Sequence, residues 1–238
     1  MIAYGKVIVF AEEHRVSRNF ESRRMGYYHF ARWPPVEVRY GQTCGTTWRA
    51  SHYGSRQLDV EQGAKAALAS PLGSLFGEDG ARLKAQLQRR KETIFEEVRR
   101  AEFPDHPSRL DCLFLCEGEE QARLYATTHG FVAPDFGIFE IQPLELRPAS
   151  DEVAAKDAEA WGIATDDFRS LCVPRRHRAN ARLLECNMAD DDALREVARR
   201  YWAGEETAPG ALTEVLFRGF FEVVRYVGPV STLQTGPG

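Results

Sequence analysis

The segment Gly26-Tyr27-Tyr28-His29-Phe30-Ala31-Arg32 is an aromatic run with one histidine at its centre. Aromatic side chains suit a pleated, half-buried surface, so the run predicts a short buried strand. It turns at Trp33-Pro34-Pro35, re-extends through Val36 and Val38, and ends at Gly41. The titratable ring is the most constrained residue of the run, because a buried polar group without a hydrogen-bond partner costs stability. His29 must meet either a protein group or a ligand, and the remaining elements have to supply one of the two.

A second strong signal lies mid-chain. Leu110, Cys112, Leu113, Phe114 and Leu115 make residues 108–116 a near-continuous apolar run, which predicts a strand buried on both faces. Glu117-Gly118-Glu119-Glu120 then opens a helix over 119–129, where acidic residues suit the positive amide dipoles of the first turn and Gly130 suits the end. The longest helical pattern covers 79–101, with Leu83, Leu87, Ile94, Phe95 and Val98 near helical spacing, and it stops before Pro104. Further helices are expected over 59–69, 151–161 and 189–203. Strands are expected over 136–141 with an extended continuation to 148, over 183–188, and as a tightly joined pair over 213–217 and 220–227. Residues 2–10 read as a strand or ordered arm, 12–24 as irregular or a frayed helix, and 173–180 as a basic loop. Residues 44–55 read as a polar-aromatic loop with recognition potential, carrying Trp48, His52 and Tyr53. The whole predicts one α+β domain over 1–228, with a helical insertion over 42–104 and a flexible tail over 229–238.

Composition removes several function classes. The formal net charge of −4 leaves no overall basic footprint for nucleic acid. The local clusters Arg23-Arg24, Arg89-Arg90-Lys91 and Arg175-Arg176-His177-Arg178 read as solvated faces. No stretch approaches the roughly 20 apolar residues of a membrane helix, and no signal peptide is evident before Glu12-Glu13-His14-Arg15, so a cytoplasmic protein is expected. Five scattered cysteines, Cys44, Cys112, Cys116, Cys172 and Cys186, suggest reduced thiols. No closely paired Cys/His ligands occur, and no metal site is expected. The phosphate-binding Gly-x-x-x-x-Gly-Lys-Ser/Thr loop, the dinucleotide glycine fingerprint, His-Glu-x-x-His and Gly-x-Ser-x-Gly are all missing.

Three strand-borne elements remain: Tyr28-His29 with Gly41 twelve residues on; Pro107-Ser108-Arg109-Leu110 leading through Leu113-Phe114-Leu115 into a helix with Ala122, Tyr125 and Ala126; and Glu214 in Thr213-Glu214-Val215-Leu216. With the strand Ile138-Phe139-Glu140-Ile141 between them, their order resembles the ADP-ribosyltransferase-like superfamily. Within it the chain is similar to small bacterial His-Tyr-Glu members such as the rifampin ADP-ribosyltransferases, and to an uncharacterised bacterial group with a Tyr-His start and a Pro-Ser-Arg-Leu strand. The match covers about residues 26–42, 107–142 and 201–226. It implies split mixed β-sheets with peripheral helices, and NAD as the substrate.

Cleavage of the nicotinamide–ribose bond passes through an oxocarbenium-like sugar, as in glycoside hydrolysis. Nicotinamide leaves as a neutral amine, so no general acid is needed. What helps is a carboxylate near the ribose, a hydrogen-bonding ring and an aromatic stacking face. The resemblance makes Glu214 the catalytic carboxylate, with Glu222 a less favoured neighbour. It makes His29 a ribose contact at the reaction centre, with Tyr28 beside it, and the Phe30 backbone a clamp on the nicotinamide amide. Ser108 and Arg109 would serve the cofactor, Arg109 by pairing bidentately with the pyrophosphate. The family's second-motif tyrosine aligns with Phe114, a departure that leaves Phe114 or Tyr125 as the stacking ring. The acceptor is unspecified: protein, nucleic acid or small molecule. A non-catalytic nucleotide- or protein-binding module, an NAD-using RNA 2′-phosphotransferase and a structural assembly protein are the other readings.

Overall fold

The computed structural model describes residues 14–18, 26–32, 43–45, 59–68, 73–128, 136–185, 190–204 and 212–230, and the protein is α+β. Its strands are β1 (His14–Arg18), β2 (Tyr27–Arg32), β3 (Thr43–Gly45), β4 (Leu113–Glu117), β5 (Phe136–Pro148), β6 (Arg175–Asn180), β7 (Thr213–Arg218) and β8 (Phe220–Pro229). Its helices are α1 (Val60–Leu68), α2 (Gly73–Glu102), α3 (Glu119–Thr128), α4 (Asp151–Trp161), α5 (Thr165–Cys172) and α6 (Asp191–Trp202). No helix among the described residues is long and apolar enough to cross a membrane.

The chain divides into two compact units. The first is Met1–Thr47 with Leu113–Arg176 and Phe217–Gly238; the second is Trp48–Cys112 with His177–Leu216. The expected insertion over 42–104 thus falls largely in the second unit, which a later segment completes.

In the first unit the strands lie in the order β3-β8-β5-β2-β4, and β1 also pairs with β5. Each of the pairings β1–β5, β2–β4, β2–β5, β3–β8 and β5–β8 is antiparallel. β5 is the spine. Its first half pairs with β2 and its second half with β1, which joins two expected segments into one strand of 13 residues. Ile138, Phe139, Ile141, Leu144 and Leu146 of β5 are all buried, as a strand covered on both faces requires. α4 and α5 cover its second half: Leu144 and Leu146 pack with Ala154, Ala158, Trp161, Phe168, Leu171 and Phe220. Ser150 caps α4 by accepting from the Val153 amide, and Gly162 ends it at φ 67°.

The second unit is built on α2, which kinks at Gly77 (φ 64°). α1 meets it through small residues, Ala64 against Ala81 and Ala85. α6 meets it through Trp202, whose indole N–H donates to the Phe95 carbonyl at 2.8 Å, and through Tyr201, whose ring stands 5.3 Å from that of Phe95.

Five local expectations change. The strand expected over 108–116 begins only at Leu113, after turns and bends. Residues 14–18 are a strand, held by β5. Residues 175–180 are a strand, not a basic loop; buried His177 and Ala179 alternate with exposed Arg176 and Arg178, the period of two that charge density masks. Residues 181–185 form a 3₁₀ turn where a strand was expected. β7 and β8, joined tightly at Gly219, are not ladder partners: β7 borders β6, and β8 lies between β3 and β5. Gly219 sits at φ 153°, and a Cβ there would lie 3.0 Å from Cα of Pro174. Residues 2–10, Val36 to Gly41, and Trp48, His52 and Tyr53 lie outside the described residues, as does the tail beyond 230.

Candidate functional site

Tyr28, His29, Phe30, Phe114 and Tyr125 all belong to the first unit. Tyr27 and His29 share one face of β2, and the register puts His29 opposite Phe139 and Phe139 opposite Tyr226. His29 has its protein partner: Nδ1 lies 2.9 Å from the carbonyl oxygen of Phe114. A carbonyl only accepts, so Nδ1 carries the hydrogen. Burial lowers the pKa of His29, against a smaller opposing effect of the Phe114 hydrogen bond, and the ring is neutral. Nε2 is then left with an acceptor lone pair. Phe30 packs on Tyr125 at 5.4 Å between centroids, and Tyr125 is buried while Phe114 is half-buried. Tyr28 lies on the opposite face from His29, its ring folded back over Gly26, where a Cβ would come within 2.9 Å. Its cross-strand neighbour Glu140 pairs with Arg225.

Ser108, Arg109 and Glu214 belong to the second unit and meet there. Ser108 Oγ donates to Glu96 at 2.7 Å and accepts from the Leu110 amide at 3.1 Å. Arg109 Nε donates to Glu92 at 3.1 Å, and its Nη1 donates to the Tyr201 hydroxyl at 2.7 Å and to Glu214 Oε1. The Tyr201 hydroxyl in turn donates to the same Glu214 oxygen. Glu92, Arg109, Tyr201 and Glu214 are each no more than 2 % exposed. Arg109 offers no surface to a pyrophosphate in this arrangement, and Glu214 none to a ribose. The neighbouring choice, Glu222, is half-buried opposite Gln142 and Thr43.

Three members of this network escaped the sequence reading: Glu92, Glu96 and Tyr201. The signal for two was present, since Glu92 and Glu96 stand one turn apart on α2 and face the consecutive Ser108 and Arg109. The Pro107-Ser108-Arg109-Leu110 motif therefore staples the segment after α2 back onto α2. Burial pushes Glu96 up, but hydrogen bonds from Arg99, Ser108 and Arg100 outweigh it and hold the carboxyl below its ordinary value. Burial raises the Tyr201 phenol and the Cys112 thiol well above theirs.

Beside this network the rings of His106 and His177 stack 4.2 Å apart, with Trp202 5.4 Å from His177. Burial, and the charge of His106, push His177 down to about 4. His106 is lowered too, first by burial. α2 and α6 also border a groove of about 510 Å³ lined by Arg89, Arg90 and Arg195, but also by Glu97 and Asp191. Arg90 is paired with Asp191 there. Among the described residues no group of three or more His, Cys, Asp or Glu side chains is placed to hold a metal ion.

A comparison with curated proteins found no match. Residues 51–229 match a family described only as a protein of unknown function, DUF2441. The matched span contains Ser108, Arg109, Phe114, Tyr125 and Glu214, and begins beyond His29. The span covers most of the 238 residues, and the chain belongs to the DUF2441 family.

Proposed function

We propose that this chain binds NAD along β2 and is an ADP-ribosyltransferase-type protein, transferring ADP-ribose to an acceptor. The observation that carries the reading is the imidazole of His29, neutral and fixed with Nδ1–H on the Phe114 carbonyl. Its remaining lone pair suits a donor such as a ribose hydroxyl, and the tautomer is set before any ligand arrives. The half-buried ring of Phe30 stands 5.9 Å from that of His29 between centroids and provides stacking surface for a nicotinamide or adenine ring. The split-sheet arrangement of the superfamily is part of the same proposal. The resemblance assigns turnover to Glu214, which would stabilise the developing positive charge on the sugar only once its carboxylate is released from Arg109 and Tyr201. NAD is the substrate, and no metal is invoked.

A second reading is binding without turnover. The burial of Glu214, with its carboxylate engaged by Arg109 and Tyr201, favours it. Incubation with NAD labelled in the adenosine and nicotinamide moieties tests both. Retained NAD with nicotinamide release, reduced about 10²–10³-fold by Glu214→Gln, supports the transferase. Retained NAD without release supports the binding module. Neither retention nor release overturns the nucleotide reading.

A further inference from the structure

Arg109 is closed off by two carboxylates, so a dinucleotide on β2 needs another cation for its phosphates. Arg176, in the first unit with His29, has the required properties. It is exposed, and its Nη1–H donates to the hydroxyl of Tyr27 at 3.0 Å. Its guanidinium carbon lies 5.8 Å from the centroid of the Tyr27 ring. Tyr27 and His29 are two residues apart on the same face of β2, roughly 7 Å along the strand. That span is comparable to the distance from a ribose hydroxyl to the phosphate on its 5′ oxygen.

The kind of partner decides what the arginine can do. Arg109, Arg123 and Arg225 are held by carboxylates, which neutralise them. Among the described residues no carboxylate pairs with Arg176. A tyrosine hydroxyl and ring orient the guanidinium but leave its positive charge and most of its five N–H donors for an anion. A planar, oriented, uncompensated guanidinium beside a neutral hydrogen-bond acceptor matches a phosphorylated sugar.

We propose that Arg176, positioned by Tyr27, binds the phosphate of the nucleotide whose ribose hydroxyl donates to His29. This inference rests on the nucleotide-binding reading above and adds the residue that recognises the phosphate. The test is calorimetric titration of the full chain with ADP, adenosine and inorganic phosphate. The wild type binds ADP more tightly than adenosine, and the preference weakens with salt. Arg176→Gln lowers ADP affinity about tenfold or more and leaves adenosine unchanged. His29→Gln weakens both. Tyr27→Phe, which keeps the ring and loses the hydroxyl, gives an intermediate loss for ADP only. Arg175→Gln, at the adjacent exposed position of β6, changes neither. Inorganic phosphate that matches ADP, in affinity and in its response to Arg176→Gln, identifies a simple anion site and overturns the nucleotide assignment. ADP binding that survives Arg176→Gln, or an equal loss for ADP and adenosine, overturns the inference while leaving nucleotide binding intact. A wild type that binds neither ADP nor adenosine overturns both.

Discussion

Replacing Arg109 by methionine removes a charge from the interior of the second unit while keeping a side chain of similar length. The variant strands Glu92 and Glu214, 1 % and 0 % exposed, without their shared cation. It also deletes the N–H groups that reach Glu92 at 3.1 Å and the Tyr201 hydroxyl at 2.7 Å. Summing these as separate charge-assisted hydrogen bonds would count the same desolvation more than once. The measured cost of removing one partner of a buried pair is the better guide, and it gives a loss of about 3–5 kcal/mol. Folding stabilities run to about 5–15 kcal/mol, so the variant remains measurable. Because most of the loss is the penalty of stranded carboxylates, Glu214→Gln in the same chain recovers part of it. A double-mutant cycle by urea unfolding, followed at the indole of Trp202, reads a coupling of about 1–3 kcal/mol between the two positions. A loss below about 1 kcal/mol for Arg109→Met, or strictly additive effects, would refute the network as a source of stability.

Stability also depends on pH through His177, whose pKa is pushed down to about 4 in the folded chain. Between the ordinary value near 6.5 and about 4, the unfolded chain carries a proton that the folded chain refuses. Stability is therefore full above that window and falls as pH drops through it, by up to about 1.4 kcal/mol per pH unit. Thermal melts from pH 7 to pH 4 check this, and an unchanged slope in His177→Gln would count against it. Ser108→Ala removes one donor to Glu96 and the acceptor of the Leu110 amide. It costs about 1–3 kcal/mol in urea unfolding and raises the Glu96 pKa from its lowered position; carboxyl titration by NMR that shows no rise would contradict the staple.

The helices were the most legible part of the chain. α3, α4 and α6 follow the expected bounds within a residue or two, because helical spacing, acidic first turns and capping residues act within one or two turns of sequence. β2, β4, β5, β7 and β8 were legible as apolar or aromatic runs. β6 was not: three arginines in six residues hid an alternation that only the burial of His177 and Ala179 reveals. α5 was missed because eight residues carrying two acidic residues in the first turn give too short a pattern.

The candidate site divides in the same way. The sequence alone was enough to say that His29 needs a hydrogen-bond partner, since a ring nitrogen in an aromatic strand cannot be left unsatisfied. Ser108, Arg109 and Glu214 stood out as cofactor and catalytic residues only through the resemblance. Which task each performs was decided by tertiary structure. The partners of Arg109 stand 17, 92 and 105 residues away, and the carbonyl that fixes the His29 tautomer stands 85 residues away. Propensity and periodicity are short-range properties of a chain, whereas a buried charge is defined by whatever the fold returns to its side. That is why the same arginine reads as a ligand contact in the sequence and stands as the centre of a buried network in the structure, while Tyr27 and Arg176, read only as part of a strand and part of a basic run, are brought together beside His29.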